Sequence, residues 1–168
     1  TARHAMVPKV MPKSLIIVGS GAIGIEFASF YRTMGVDVTV IEMIDRILPQ
    51  EDPEISGLAL KAFEKQGMKF KLSSTVEKLE KTKSGAKITV KTPQGSEHLE
   101  ASNVILAIGI IGNTDHLGLE NTKAKVEKNQ IHTNEWCETA EPGLYAIGDV
   151  AGAPWLAHKA SHEAIICV

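Results

Sequence analysis

The chain has 168 residues, 43% of them hydrophobic and 23% charged, so it can bury the core of one globular domain, or of one domain and part of another. Its net charge of -2 gives no basic bias and argues against a nucleic-acid or acidic-membrane surface. No apolar run approaches the roughly 18 residues of a membrane span. The composition predicts a soluble protein of the cytoplasm, or of the mitochondrial matrix if the source is eukaryotic.

The first predicted unit is a strand, a glycine turn, a helix and a second strand. Leu15–Val18 is wholly apolar and predicts a strand buried on both faces, as in a parallel sheet. From Ala22 the spacing becomes helical, and Gly35 ends the helix. The predicted apolar face of this helix carries Ile23, Phe27, Phe30 and Met34. Val36–Ile41 predicts the next strand, which completes a right-handed parallel βαβ crossover.

A second helix and several strands follow. Asp52 is a good N-cap for a helix that ends before Gly67, and a short strand is predicted after it at Met68–Leu72. The next stretch alternates apolar and polar residues and predicts an antiparallel β-meander with one wet face, containing strands Val76–Lys81 and Ala86–Thr92. Val104–Ile108 is apolar throughout and is expected to return to the main sheet.

The character of the sequence changes after Gly109. Few core positions follow until Leu144–Asp149, which predicts a buried strand that ends in an acid. A helical pattern begins at Leu156 and stops abruptly at the C-terminus, which suggests a truncated chain. The predicted fold class is therefore α/β, Rossmann-like, with a parallel sheet and an added antiparallel meander.

Cysteine and histidine spacing predicts neither a disulfide nor a metal site. Cys137 and Cys167 lie 30 positions apart, which is neither a disulfide framework nor a CxxC pair, and we expect structural thiols. His158 and His162 have the i, i+4 spacing of metal ligands, but no third ligand follows at a convincing distance. We expect an ordinary surface or interface role for His162 and Glu163.

The segment Gly19–Gly24 matches the dinucleotide fingerprint G-x-G-x-x-G. Gly19 permits a tight turn, Gly21 lets a pyrophosphate approach the backbone, and Gly24 lets helix and strand pack closely. The following helix offers free N–H groups and about half a positive charge to the phosphates. Since the motif lies between a predicted strand and a predicted helix, it predicts a dinucleotide site.

An acid at the end of the second strand indicates which nucleotide binds. Glu42 can accept hydrogen bonds from both ribose hydroxyls of NAD, whereas the 2′-phosphate of NADP would bring a like charge within about 4 Å. Arg46 is close enough in sequence to meet a phosphate, but we interpret it as a solvated loop residue. NAD is the predicted nucleotide. A short-chain dehydrogenase is excluded because neither Tyr31 nor Tyr145 has a lysine four positions later.

Several of these segments together resemble the pyridine-nucleotide disulfide reductases. The similarity rests on Gly19–Glu26, on Ile41–Glu42, on the loop Asp45–Pro49 and on Tyr145–Asp149, in the family's order along essentially the whole chain. The continuation Pro154–Ala160 is particularly similar to the members that oxidise dihydrolipoamide.

The resemblance implies an enzyme that passes electrons from dihydrolipoamide, carried on a lipoyl domain, through a disulfide and FAD to NAD. Such enzymes are homodimers and components of 2-oxo-acid dehydrogenase complexes. The resemblance further implies that residues 1–11 are a connector, that residues 12–112 form the NAD-binding domain, and that residues 113–168 are part of the central FAD-binding domain.

Site residues follow from the same resemblance, position by position. Glu42 would hold the adenosine ribose of NAD, while Val76 and Gly109 would line the NAD cleft. Asp149 would hydrogen-bond the ribityl chain of FAD. The residues expected along the NAD pyrophosphate and toward the nicotinamide are Gly19, Ser20, Gly21, Ala22, Ile23, Gly24, Ile25 and Glu26. The residues expected along the flavin are Trp155, Leu156, Ala157 and His158.

Two departures limit the resemblance. Ile110, Ile111 and Gly112 stand where the family usually has an arginine and then a proline. The family's redox disulfide, its catalytic His–Glu pair and its FAD adenine fingerprint match no segment here, so we predict no catalytic residue and no activity for the chain alone. The alternatives are another NAD(P)H-dependent flavoprotein disulfide reductase, a non-catalytic nucleotide-binding module, or a methyltransferase. The last two leave the Gly148–Asp149 segment unexplained.

Overall fold

The computed structural model describes residues 2–168, with side chains from His4 onward, in two compact units that divide between Ile108 and Gly109. The helices of the first unit are α1 (Ala2–Met6), α2 (Ala22–Thr33) and α3 (Pro53–Lys65). Its strands are β1 (Ser14–Val18), β2 (Asp37–Ile41), β3 (Lys69–Lys71), β4 (Thr75–Lys81), β5 (Ala86–Thr92), β6 (Gly95–Ala101) and β7 (Asn103–Leu106).

The main sheet of the first unit is parallel throughout, with the strand order β3-β2-β1-β7. Its central strand β1 pairs Ile17 with Val40 on one side and with Ile105 on the other. Because helices or strands cover both faces, β1 is apolar throughout its middle, and Ile17 is fully buried. The predicted βαβ crossover and the return of the fourth strand to this sheet are confirmed.

Helix α2 buries a different face from the one that the spacing predicted. Phe30 is 51% exposed and Met34 is 54% exposed, whereas Ala28 and Tyr31 are buried in the core. Small residues at the buried face let the helix lie close to the sheet, and Tyr31 is tolerated there because its hydroxyl donates to the carbonyl of Ala5. Of the four residues predicted for the apolar face, Phe27 packs half-buried against the core, whereas Ile23, Phe30 and Met34 are exposed.

The predicted β-meander is a separate antiparallel sheet of strands β4, β5 and β6. Its middle strand buries Ile88 and Val90 and exposes or half-exposes the intervening residues, as the alternating pattern predicted. These two side chains pack with Ile16 and Ile41 of the parallel sheet in a second hydrophobic cluster. A register shift between Val76 and Lys78 marks a bulge in β4.

The second unit contains a short hairpin, two 3₁₀ turns and a C-terminal helix. Its elements are β8 (Val126–Glu127), β9 (Gln130–Ile131), 3₁₀ turns at Leu119–Asn121 and Gly148–Ala151, and α4 (Ala157–Cys167). The prediction of a buried strand at Leu144–Asp149 is wrong. Tyr145 is 45% exposed and forms only an isolated bridge with Glu138, and the positive φ of Gly148 (73°) turns the chain into a 3₁₀ helix.

Within residues 2–168, no helix is both long enough and apolar enough to cross a membrane. Both cysteines have free thiols, with Cys137 buried and Cys167 partly exposed. The predicted α/β class, with its parallel sheet and antiparallel meander, is confirmed.

Candidate functional site

The glycine turn joins β1 to α2 and is held between two neighbouring strands. The N–H of Gly19 donates to the carbonyl of Ile41 at 2.9 Å, and the N–H of Ala107 donates to the carbonyl of Val18 at 2.8 Å. Gly19 has a φ of 100°, and a Cβ at this position would overlap the carbonyl of Ala107. Glycine is therefore required here both by the backbone angle and by the close approach of the chain after β7.

The other two fingerprint glycines have opposite surroundings. A Cβ on Gly24 would overlap the carbonyl oxygen of Gly19, so this glycine lets α2 approach its own turn. A Cβ on Gly21 would meet no atom within 4 Å, and its φ of -67° is ordinary. Gly24 thus has a packing role inside the protein, whereas Gly21 leaves open space outside it, as the motif predicts for a pyrophosphate.

The N-terminus of α2 is open to an anion. In the part of the chain that the structure describes, no side chain caps this helix and no acid lies in its first turn. Ala22 and Ile23 are exposed there. Uncapped N–H groups and the positive end of the helix dipole make such a position favourable for a phosphate.

Glu42 lies beside the turn and braces it. One oxygen, Oε2, accepts hydrogen bonds from both the backbone N–H and the hydroxyl of Ser20, each at 2.8 Å. The other oxygen, Oε1, accepts from the N–H of Ile44 at 3.2 Å. Ser20 is fully buried, and its carbonyl accepts from the N–H of Leu48 at 2.9 Å. Sequence reasoning placed Ser20 in the motif but missed this contact, since the spacing of two residues does not reveal a side-chain bond between them.

The loop that follows Glu42 is fixed by its own contacts. Ile47 is fully buried, and the Ser56 hydroxyl of α3 donates to the carbonyl of Leu48 at 3.2 Å. Arg46 is half-buried, and its guanidinium donates to the carbonyl of Pro49 at 3.1 Å. The arginine is therefore tied into its loop, rather than being the freely solvated residue that we expected.

The remaining residues predicted for NAD lie on both units. Ile25 is buried in α2, and Glu26 is exposed on the same helix. Val76 is half-buried beside the second hydrophobic cluster of the first unit. Gly109 begins the second unit with a φ of 129°, and it is exposed.

The residues predicted for FAD lie together on the second unit. Asp149 is exposed in the 3₁₀ turn Gly148–Ala151, and Gly152 N–H closes that turn on the Asp149 carbonyl at 3.1 Å. Trp155 is 42% exposed and Leu156, the N-cap of α4, is 45% exposed. Ala157 and His158, in the first turn of this helix, are exposed as well.

Two residues of α4 contact the turn that carries Asp149, and sequence reasoning missed them. The carboxylate of Glu163 accepts from the N–H of Gly148 at 2.7 Å, and the ammonium of Lys159 donates to the carbonyl of Gly148 at 3.2 Å. Lys159 and Glu163 also form an ion pair at 2.8 Å. Their i, i+4 spacing was a signal for the pair, but it could not identify the peptide that they hold.

The environment of Glu163 favours its charged form. Burial raises its pKa, but the hydrogen bond from Lys159, the N–H of Gly148 and the positive charge of Lys159 together outweigh burial and hold the pKa below its usual value. A surface or interface role was the expectation for Glu163, yet its side chain is only 20% exposed. The expectation is corrected, because the carboxylate is paired inside the unit.

The family departure at residues 110–112 has a partial structural explanation. A Cβ on Gly112 would overlap the carbonyl of Asn129, at the turn of the β8–β9 hairpin, and would touch the Cα of Val150. Glycine fits at this position because the chain passes between these two backbones. Ile110 is 37% exposed and Ile111 is 73% exposed, and nothing in the structure explains them.

Comparisons with known proteins agree with this arrangement. A sequence model of the family described as pyridine nucleotide-disulphide oxidoreductase matches residues 1–164. The dihydrolipoyl dehydrogenase of Rhizobium etli is 48% identical over 166 residues, which are 98% of this chain and 34% of that enzyme. Across several curated relatives of this name, the chain spans about a third of their length.

Solved structures give the same result. LpdA from Mycobacterium tuberculosis matches with a TM-score of 0.82 and 31% identity, over 94% of this chain and 34% of that one. The HOCl-induced flavoprotein disulfide reductase RclA from Escherichia coli matches with a TM-score of 0.84 and 26% identity, over 92% of this chain and 35% of that one. With a family match over nearly its whole length, the chain belongs to the pyridine nucleotide-disulphide oxidoreductases.

Proposed function

We propose that the chain binds NAD(H) at the glycine turn and supplies this site to a dihydrolipoyl dehydrogenase. In this proposal residues 12–112 are the NAD-binding domain, residues 1–11 connect it to the FAD domain, and residues 113–168 are part of that FAD domain. The single observation that carries the proposal is the open space at Gly21, over an uncapped helix N-terminus and next to the Glu42 carboxylate.

The turn suits a pyrophosphate for three physical reasons. The N-terminal N–H groups of α2 have no side-chain cap, the helix dipole adds partial positive charge, and the first turn carries no acid to repel the phosphates. Gly21 lets those phosphates approach without meeting a side chain. Ser20 and Gly24 hold the turn in place from the buried side.

Glu42 retains one place for a ribose hydroxyl, rather than the places for both hydroxyls that the sequence predicted. A carboxylate offers about four lone-pair positions, and the contacts with Ser20 and Ile44 use three of them. The free position belongs to Oε1. A 2′-phosphate at the same place would face the carboxylate charge at a cost of roughly 1–4 kcal/mol per charge pair at about 4 Å, so NAD is preferred over NADP.

The second unit fits the ribityl chain of FAD. Among the described residues, none donates a hydrogen bond to the Asp149 carboxylate, so this exposed group is available to a hydroxyl ligand. Trp155 and Leu156 follow Asp149 closely in sequence and expose apolar surface that could cover a flavin. When bound, FAD would supply the two-electron relay between nicotinamide and disulfide.

The whole-protein activity is oxidation of dihydrolipoamide to lipoamide with NAD as acceptor, in a homodimer that serves a 2-oxo-acid dehydrogenase complex. The names of the curated relatives support it, and at 48% the first of them is more similar to the chain than RclA is. The structural match to RclA favours a second candidate, another NAD(P)H-dependent flavoprotein disulfide reductase. Steady-state assays of the intact enzyme with dihydrolipoamide and NAD distinguish the two.

A calorimetric titration of the 168-residue chain with NADH, and separately with NADPH, tests the nucleotide site. We expect NADH to bind with a dissociation constant between about 1 μM and 1 mM, equivalent to roughly 4–8 kcal/mol, and NADPH to bind more weakly. Glu42→Ala should abolish the preference for NADH, while Glu64→Ala, which removes an exposed acid of α3, should leave it unchanged.

A third variant separates ribose binding from bracing of the turn. Ser20→Ala removes the hydroxyl contact with Glu42 but leaves the carboxylate in place. If Glu42 contacts the ribose, Ser20→Ala keeps much of the NADH preference that Glu42→Ala loses. No binding of either nucleotide by a folded chain, as judged by circular dichroism, would overturn the proposed site.

A further inference from the structure

We propose that Lys159 and Glu163 are positioning residues that hold the Gly148 peptide and thereby orient Asp149 toward the flavin. The proposal rests on the proposed function, in which Asp149 binds the ribityl chain of FAD. It assigns a role to two residues of α4 whose side chains bond to a backbone peptide and to each other.

The contacts form a closed ring around one glycine. Glu163 Oε2 accepts from Gly148 N–H at 2.7 Å, Lys159 Nζ donates to the Gly148 carbonyl at 3.2 Å, and Glu163 Oε1 pairs with Lys159 Nζ at 2.8 Å. Both polar groups of the residue before Asp149 are therefore bound by charged side chains. Hydrogen bonds to charged groups are the stronger kind, so this ring fixes the orientation of the backbone.

Glycine is what allows this ring to close. Gly148 is buried with a φ of 73°, a conformation that other residues rarely adopt, and a Cβ would lie 3.2 Å from the Cβ of Ala160. The peptide can thus lie directly against the face of α4 that carries Lys159 and Glu163. A larger residue would push the turn away from both side chains.

The direction of the Asp149 carboxylate depends on the backbone beside it. Among the side chains from His4 onward and the backbone of residues 2–168, no group donates a hydrogen bond to this carboxylate, and the Asp149 backbone carbonyl accepts from Gly152 N–H at 3.1 Å. The direction of its exposed side chain is therefore determined by the backbone on either side. The ring fixes that backbone on one side, and the 3₁₀ turn fixes it on the other.

A purely stabilising ion pair is a weaker explanation for the same contacts. The side chains of Lys159 and Glu163 are only 16% and 20% exposed, and removing such charges from water offsets much of their attraction. Their hydrogen bonds are directed at one peptide rather than spread over the unit. Such a pair is better suited to fixing geometry than to adding stability.

The ring itself is tested by hydrogen exchange of the Gly148 amide, measured by NMR in the 168-residue chain. The double variant Lys159→Met/Glu163→Leu removes both charges without leaving one unpaired, and it also removes the acceptor of the Gly148 N–H. It should speed exchange at Gly148 by about tenfold, the factor expected for losing a hydrogen bond to a charged acceptor. Ser161→Ala, an exposed site on the same helix, should not change it. Unchanged exchange in the double variant would overturn the proposal.

Whether Lys159 and Glu163 act on the flavin through Asp149 is tested in the FAD-loaded intact enzyme. The measurements are the release of FAD and the visible circular dichroism of the bound flavin. Asp149→Ala and Lys159→Met should each raise the dissociation constant for FAD, by about tenfold or more. On the Asp149→Ala background, Lys159→Met should add little, whereas its effect on melting temperature should persist. Lys159→Arg keeps the charge and should restore most of the affinity.

The outcomes separate the two proposals. If Asp149→Ala leaves FAD affinity unchanged, the assignment of Asp149 to the flavin is wrong. If Asp149→Ala weakens FAD but Lys159→Met does not, or if their effects simply add, Lys159 and Glu163 do not act through Asp149. The Gly148 exchange measurement needs no flavin, so it decides on the ring even where a variant enzyme fails to load.

Discussion

The buried Ser20 presents both its backbone N–H and its hydroxyl to the same oxygen of Glu42, each at 2.8 Å. The acid at the end of the second strand is thereby joined to the glycine turn at the end of the first. In the proposed site this carboxylate has two tasks, since it braces the turn with three accepted bonds and keeps one lone-pair position for the ribose.

Ser20→Ala should lower the stability of the chain. The variant deletes a hydrogen bond to a charged acceptor in a fully buried position, so we expect the free energy of unfolding to fall by roughly 1–3 kcal/mol. Urea denaturation followed by circular dichroism measures the change. Ser96→Ala, at an exposed position, should stay within about 0.5 kcal/mol of the wild type. Equal losses at Ser20 and Ser96 would show that the contact contributes nothing.

Gly24→Ala and Gly21→Ala should separate folding from nucleotide binding. At Gly24 the new methyl would overlap the Gly19 carbonyl, so we expect a loss of about 1–3 kcal/mol in the free energy of unfolding. At Gly21 the methyl meets open space at an ordinary φ, so the fold should keep its stability while NADH affinity falls by about tenfold or more, since the methyl takes up space needed by the pyrophosphate.

Gly57→Ala is the matched control for both glycine variants. Gly57 lies in the exposed interior of α3, and a Cβ there meets nothing within 4 Å. Alanine should raise the free energy of unfolding by about 0.5–1 kcal/mol and leave NADH binding unchanged. Chemical denaturation and calorimetry check the three variants together. A stable Gly24→Ala chain, or undiminished binding by Gly21→Ala, would contradict the roles given to these glycines.

Local patterns predicted the parallel sheet because its central strand β1 is apolar on both faces and is followed by a glycine motif whose residues have known mechanical roles. Ile17 is fully buried as expected, and the acid at Glu42 lies next to the turn. The face of α2 was mispredicted because large apolar residues were given more weight than small ones. The structure buries Ala28 and Tyr31 and exposes Phe30, because the small side chain lets the helix approach the sheet and the Tyr31 hydroxyl finds a backbone acceptor.

The second unit was harder to predict because its structure depends on contacts that are distant in sequence. The segment at residues 144–149 is apolar enough for a strand, but no neighbouring strand pairs with it beyond the bridge from Tyr145 to Glu138. The contact of Gly148 with Glu163 joins residues 15 positions apart. No local pattern specifies such a bond, and it is here that the candidate flavin residues are positioned.

Replacing Glu163 should make stability less dependent on pH. Burial raises the pKa of Glu163, but the hydrogen bonds from Lys159 and Gly148 lower it by more than burial raises it. The pKa in the folded state therefore lies below the pKa in the unfolded state. The stabilising contribution is therefore fully present above the unfolded pKa and is lost as pH falls through the folded pKa. Urea unfolding across acidic and neutral pH should show wild type more stable than Glu163→Gln at neutral pH, with the difference shrinking in acid. A difference that stays constant with pH would contradict this linkage.

Cys137 should react with iodoacetamide much more slowly than Cys167 in the folded chain. Burial raises the pKa of the Cys137 thiol, and the nearby negative charge of Glu163 raises it further. Only the thiolate attacks the reagent, and Cys137 is 5% exposed, whereas Cys167 is partly exposed near the end of α4. Peptide mass spectrometry after labelling at mildly alkaline pH should find Cys167 modified first.

Two controls check this order of labelling. Cys137 should become reactive once urea unfolds the chain, and Cys167→Ser should remove only the fast phase of labelling. Rapid labelling of Cys137 under native conditions would mean that the second unit opens readily, since its thiol lies against the Glu163 carbonyl at 3.8 Å.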